Sequence, residues 1–443
     1  MPVAGQYQIE GGGAQAIAES LERAIQDGAL APGDRLPTIR ALAEELDASP
    51  VTVAAAYRLL RGRGLVVAAG RAGTRVAPRP PLAGLIEPEV PPRVRDLRIG
   101  LPDPALLPPL QPALAAAATG VALPSRRHQR NEPRLLELAR AAFAADGVPA
   151  TALAVVGGAM DGVERVLGSR LVPGDAVAVE DPLYPPLVDL LRTLGLSPVG
   201  VAVDDAGMLP DGLAAALRRG ARALVLTPRA HNPTGAALTR ERAGELRDLL
   251  AGSAALVVED DHAGPVAGPP AASSIDPARG PWAVVRSVSK SLHPDLRLAI
   301  VSGDEQTISR VERRQALGTG WVSTILQRTV AALWSDRDVV ALLARARAAY
   351  AERRTALVRA LAAAGIPAQG RSGLNVWVPV RQESATVESL LAAGWAVAAG
   401  ERFRLRSGPG IRITVSELAP GEAPELAAAL ARALRPAGAL GAY

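Results

Sequence analysis

Apolar positions recur at helical spacing in 14–28, AQAIAESLERAIQDG, where Ile17, Leu21 and Ile25, with Ala18 and Ala24, form one stripe. Gly28 and the segment Ala31-Pro32-Gly33-Asp34 stop that helix and turn the chain. A second short helix is predicted from Thr38 to Leu46 behind Pro37. A third starts at Ser49 or Pro50, residue types suited to an N-cap and a first turn, and runs to about Arg61. The period then drops to two. Gly64 to Ala77, GLVVAAGRAGTRVA, reads as two short strands around a glycine turn. Three helices and a hairpin form the outline of a winged helix-turn-helix over residues 1–77.

Residues 78–95 hold Pro78, Pro80, Pro81, Pro88, Pro91 and Pro92 and read as a semi-rigid linker. A larger domain is predicted over 96–436. Its apolar strand candidates are Ala152–Val156, Ala176–Val179, Ala223–Thr227, Ala255–Glu259 and Ala283–Ser287. Helical stretches at Asp161–Arg170, Pro186–Leu194, Leu209–Arg219 and Thr239–Leu250 separate them. This alternation predicts an α/β fold with a doubly wound, mostly parallel sheet. A long helical run follows Arg337 and passes Leu361. Leu374–Val380, Arg404–Leu405 and Ile411–Val415 are strand candidates of a smaller α+β unit, closed by a helix over Glu422–Leu434.

Composition narrows the possibilities. The chain has 443 residues and no cysteine, which excludes disulfides and thiolate-bound metals. Four histidines without ligand spacing leave no expected metal site. Neither a secretory leader nor a membrane-spanning apolar run is visible, so a cytoplasmic protein with no membrane partner is expected. The net charge of +5 says less than its distribution. No acidic residue lies between Asp47 and Glu87, while Arg58, Arg61, Arg63, Arg71, Arg75 and Arg79 do. With Arg35, Arg40 and Thr52, the arginines Arg58, Arg61, Arg71 and Arg75 are the candidate contacts to double-stranded DNA. An ordinary basic surface on a small helical domain would produce the same pattern.

The chemistry centres on a count. Lys290 is the only lysine, against 48 arginines. Arginine has no amine that deprotonates at working pH, so it cannot replace lysine as a carbonyl-reactive nucleophile. Lys290 sits in RSVSKSLHPDLR just past a strand, with Ser287 and Arg297 as candidate phosphate ligands. Gly158, Ala159 and Met160 join a strand to a helix N-terminus, a second phosphate cradle. Asp260 follows an apolar strand, where a carboxylate would keep a pyridinium nitrogen protonated. Asn232 in HNPTG would donate to a ring oxygen, and Tyr184 would stack on a ring. Alone, each segment also fits an ordinary turn or a surface lysine.

Together these segments resemble two known families. GDRLPTIRALAEELDASPVTVAAAYRLLRGRGLV and GRAGTRV resemble the winged helix of GntR regulators, and roughly 96–436 resembles the fold-type I aminotransferases. That pairing is the arrangement of the MocR subfamily. The resemblance implies pyridoxal 5'-phosphate (PLP) bound as an aldimine at Lys290, with Asp260 at the pyridine nitrogen, Asn232 at the ring hydroxyl, and Ser287 and Arg297 at the phosphate. Arg412 in GIRIT would clamp the carboxylate of an amino acid effector or substrate, and the protein would be a homodimer. The expected function is a PLP-dependent transcription regulator that senses PLP or an amine without efficient turnover. A working aminotransferase and a cofactor-free scaffold are the alternatives. Three positions depart from the family pattern. His262 replaces a tyrosine at the ring oxygen, and an imidazole carrying charge near neutral pH would make ligand response pH-dependent. Arg126–Ala139 lacks the usual tyrosine and glycines, and Pro50 stands where an arginine is common.

Overall fold

A computed structural model describes residues 13–26, 29–31, 33–62, 65–68, 73–76, 90–119 and 131–435. The chain divides into two compact units, residues 1–89 with 191–197 and residues 90–190 with 198–443.

The first unit packs α1 (Ala14–Gln26), α2 (Ile39–Glu45) and α3 (Pro50–Gly62) around one core, followed by β1 (Val66–Ala68) and β2 (Thr74–Val76). Ile17 and Leu21 of α1 meet Val53, Tyr57 and Leu60 of α3 in that core. Both later helices are capped by hydroxyls. Thr38 accepts from the Ala41 N–H at 3.2 Å, and Ser49 accepts from the Thr52 N–H at 3.0 Å, which satisfies N–H groups a helix start leaves open. The antiparallel wing pairs Val66 with Val76 and Ala68 with Thr74. Residues 33–36 also line its edge: Leu36 N–H donates to Thr74 O, and Val76 N–H to Asp34 O. That ribbon has no strand pattern in its own sequence.

The second unit holds a central sheet and a smaller α+β layer. Ahead of the sheet come β3 (Arg95–Asp96), α4 (Gln111–Ala118) and α5 (Pro133–Ala145). The sheet strands are β4 (Ala152–Val156), β5 (Ala176–Asp181), β6 (Ser197–Asp204), β7 (Gly207–Met208), β8 (Ala223–Leu226), β9 (Leu256–Asp261), β10 (Trp282–Ser287) and β11 (Ala299–Gly303). Their order is β4-β11-β10-β9-β8-β5-β6-β7. Strands β5, β8, β9 and β10 run parallel, whereas β11 is antiparallel to both β10 and β4. Helices α6 (Ala159–Gly168), α7 (Pro185–Thr193), α8 (Pro210–Arg218) and α9 (Arg240–Leu250) alternate with the strands, and α10 (Glu305–Leu317) follows β11. The parallel strands end together, the edge where open α/β sheets bind ligands.

The smaller layer follows α11 (Thr324–Ser335) and the 27-residue α12 (Arg337–Ala363). It comprises β12 (Asn375–Pro379), α13 (Glu383–Ala392), β13 (Trp395–Ala396), β14 (Ala398–Ala399), β15 (Gly410–Thr414) and α14 (Ala423–Ala433). Its sheet order is β12-β15-β14, over a core including Leu357, Val376, Ile413 and Leu426. One expectation is corrected here: Arg404–Leu405 is not a strand. Leu405 N–H donates to Asp181 Oδ1 at 2.9 Å, and the Arg406 and Ser407 N–H groups to Asp181 Oδ2 at 2.8 and 3.0 Å. A carboxylate takes the donors a ladder would have used, and Ala398–Ala399 supplies the third strand instead. No helix among the described residues is long and apolar enough to cross a membrane.

Beneath the strand ends lies a buried charge network. Arg229 meets Asp261 through Nε and Nη2 at 2.8 and 2.9 Å, and Arg286 Nε meets the same carboxylate at 2.7 Å. Asp146 bridges both guanidiniums, at 2.8 Å from Arg229 and 2.7 Å from Arg286. Phe143 carries Arg286 at 4.4 Å from its ring centroid. Hydrogen bonds and charge from the two arginines overcome the cost of burial and hold the Asp261 carboxyl far below the usual carboxylate range. Its depressed folded value contributes stability above the unfolded value of about 3.9, and that contribution is lost only as pH falls further. Asp261→Asn leaves two buried guanidiniums underpaired. Its expected cost is about 3–5 kcal/mol at neutral pH, read as a lower urea midpoint, with the gap to wild type closing in strong acid.

Candidate functional site

Strand β9 ends in three consecutive carboxylates, and strand alternation sends the middle one to the opposite face. Glu259 is buried and accepts from Ser273 Oγ, Ser274 N–H and Ser274 Oγ at 2.9, 2.7 and 2.8 Å. Asp261 is held by the two arginines. Asp260 has neither kind of support. Its Oδ1 is buried with no hydrogen-bond partner among the described residues. Burial, with Asp261 and Glu180 nearby, pushes its carboxyl up to about 7. A carboxylate desolvated without a partner is costly. This one faces a pocket lined also by Met160, Tyr184, Glu180, Thr227 and His231.

Glu180 and His231 had no role in the sequence reading. Glu180 Oε2 accepts from the Thr227 N–H at 2.9 Å and lies 3.3 Å from His231 Nε2. His231 Nδ1 is 2.7 Å from Thr234 Oγ1. Their sequence signal is that they open the segments EDPLYP and HNPTG.

Cations gather at the other side of the site. Lys290 Nζ donates to Gly100 O at 2.5 Å. Burial, followed by the charges of Arg412 and Arg297, lowers its amine to about 8. Arg412 lies mid-strand in β15, opposite Trp377 and Ala398. Its Nη1 donates to Asn232 Oδ1 at 3.1 Å, its Nη2 donates to Arg98 O, and its guanidinium stands 4.9 Å over the Phe403 ring. Tyr184 senses Asp260, Arg412 and Arg297 together, although burial is the main cause of its raised pKa.

Two of the phosphate candidates, Arg297 and the Gly158 helix start, meet. Gly158, with φ of 108°, precedes the first turn of α6, where Ala159 and Met160 follow. Arg297 itself adopts a left-handed φ of 44°, rare outside glycine. A Cβ on Gly158 would sit 3.5 Å from Arg297 Nη2, so the guanidinium lies against this helix start. Ser287, at the end of β10, donates to Ser289 Oγ at 3.1 Å and accepts from the Ser289 N–H.

His262 corrects an expectation. Burial first, then the charge of Lys290, lowers its imidazole to about 4. It is therefore neutral at physiological pH and supplies no charge switch there.

On the first unit, Arg40, Arg58 and Arg61 are exposed. Arg75 Nη1 donates to Gly33 O at 2.8 Å, and Arg35 packs over Gly73, where a Cβ would come within 3.1 Å of its Nε. These two arginines tie the wing to the ribbon beside it. Thr52 Oγ1 is 2.8 Å from Ser49 Oγ. Arg71 and 120–130, which include Arg126, lie outside the described residues.

The model of bacterial regulatory proteins of the gntR family matches residues 14–76, and that of aminotransferase class I and II matches 113–430. The vitamin B6 salvage pathway transcriptional repressor PtsJ of Salmonella typhimurium is 40% identical over 433 residues, spanning 96% of this chain and 99% of that protein. The HTH-type transcriptional regulator TauR of Rhodobacter capsulatus is 30% identical over 482 residues, spanning 96% and 98%. Among solved structures, the α-aminoadipate aminotransferase LysN of Thermus thermophilus, complexed with N-(5'-phosphopyridoxyl)-L-leucine, superposes with a TM-score of 0.67 at 22% identity. That match covers 80% of this chain and 96% of that one, and it shows a shared fold. With a winged helix matched at one end and an aminotransferase domain over most of the rest, the chain belongs to the GntR-family transcription regulators of the MocR type.

Proposed function

We propose that this regulator binds PLP and that occupancy of the site by PLP changes its hold on DNA. One observation carries the reading: the buried Asp260 carboxylate has an oxygen with no partner, in a pocket whose Tyr184 also senses the arginines flanking the only lysine. A protonated ring nitrogen is the partner that carboxylate lacks. Bound PLP would supply an electron-withdrawing ring and an aldehyde that combines reversibly with amines.

The residues divide the work. Asp260 would hold the ring nitrogen, and Tyr184 would stack on the ring. Asn232 and His262 serve the ring oxygen, His262 as a neutral donor. Ser287, Arg297 and the Gly158–Met160 helix start hold the phosphate. Lys290 offers an amine that gives up its proton well below the usual lysine range. Arg412 gives the same site a bidentate-capable guanidinium for the carboxylate of an amino-compound effector. The likeness to a repressor of vitamin B6 salvage supports PLP as the signal and vitamin B6 supply as the regulated process. The aminotransferase-type fold supports a homodimer, in which two winged helices read a repeated or palindromic site. Adding PLP to apo-protein should shift its affinity for promoter DNA. Unchanged DNA affinity across full PLP occupancy overturns the sensing role, and steady multiple turnover with an amino donor and a keto acid would make the protein an enzyme instead.

Because Lys290 is the only lysine, an amine-directed reagent reports its proton directly. Labelling at this residue, resolved by peptide mass, should rise with pH around 8, against about 10.4 for a free lysine, and PLP should block it. Lys290→Ala should lose the visible absorption of the PLP complex. Asp260→Asn should weaken PLP binding by roughly 100-fold, as expected for a buried charge left unpaired. For DNA, Arg58→Glu with Arg61→Glu should weaken binding to all duplexes about equally and flatten the dependence of affinity on salt.

A further inference from the structure

We infer that the recognition helix α3 reads its operator through thymine methyl groups, with Val51 as the specificity-determining residue. The inference rests on the DNA-binding role of the winged helix. In helix-turn-helix proteins the N-terminal residues of the recognition helix reach base edges in the major groove. The side chains α3 offers there carry little hydrogen-bonding capacity. Its sequence, PVTVAAAYRLLRG, contains no Asn, Gln, Asp or Glu. Val53, Ala56, Tyr57 and Leu60 are buried in the core, so they are unavailable. The outward stripe is Val51, Ala54 and Ala55, then Arg58. Val51 and Arg58 align because seven residues make nearly two turns.

Val51 is 74% exposed, so its methyl groups are open to a partner at the helix start. Thr52 is the one polar side chain in the first two turns, and its hydroxyl is engaged with Ser49 Oγ at 2.8 Å. Arg58 lies about 10 Å further along the axis than Val51, at 1.5 Å per residue, which suits a phosphate further along the groove. In the major groove only thymine presents a methyl group, so an apolar side chain there discriminates thymine from the other three bases. Adenine would need an amide and guanine a guanidinium at this place, and the first two turns of α3 carry neither.

The test uses the full-length protein. Duplexes are selected from a random-sequence pool, and the tightest is rebuilt with deoxyuridine replacing thymidine one position at a time. Uracil keeps the base pair and removes only the methyl. The expected result is a half-site position where methyl loss weakens binding about four-fold, the equivalent of one buried methylene, and where Val51→Ala is indifferent to the change. Val51→Asn should move the preferred base there from thymine to adenine. Circular dichroism checks that both variants fold, which an exposed position favours. A selected duplex insensitive to every uracil, or equally sensitive with Val51→Ala, overturns the apolar readout while leaving DNA binding intact. A pool with no preferred sequence overturns the inference and with it operator reading by this helix.

Discussion

The site is organised by a carboxylate that the fold buries and does not pair. Three acidic residues in a row at the end of β9 would repel one another, and the structure resolves this by giving each a different fate. Glu259 is held by three serine donors although burial raises its pKa, Asp261 is pinned by two guanidiniums, and Asp260 stands alone with its carboxyl raised to about 7. Removing either neighbour's support would place a second unpaired charge beside it. The Arg229–Asp261–Arg286–Asp146 network thus sets the charge environment of the pocket from beneath.

Across the pocket the logic is reversed. Lys290 is buried near two guanidiniums, and both effects favour the uncharged amine. An acid that resists ionisation and an amine that resists protonation are each poised for an exogenous partner rather than for one another. His262 stays neutral because burial, with the charge of Lys290, outweighs the opposing charge of Asp261. The site is therefore tuned by desolvation first and by specific charges second.

In the winged helix the arginines have different tasks. Arg75 and Arg35 join the wing to the 33–36 ribbon, and Arg58 and Arg61 are exposed on α3. Arg35 and Arg75 remain exposed while making these contacts.

Much of this was legible in the sequence alone. Helical spacing located α1 to α3 and residue type marked the Ser49 cap of α3, alternation of strands and helices announced the sheet, and the solitary Lys290 marked the chemistry because no other residue type replaces it. The sequence reading left out β6 and β11, whose short runs SPVGVAVD and AIVSG are interrupted by proline, glycine or serine. It placed a strand at Arg404–Leu405 because nothing local reveals that Asp181, more than two hundred positions away, captures those N–H groups. The pairing of Arg412 with Asn232, 180 positions apart, was equally invisible, as were the entry of His231 and Glu180 into the pocket and the neutrality of His262. Periodicity encodes which face of an element is buried. Which partner meets that face, and hence how each titratable group is charged, depends on non-local packing and exists only in the folded chain.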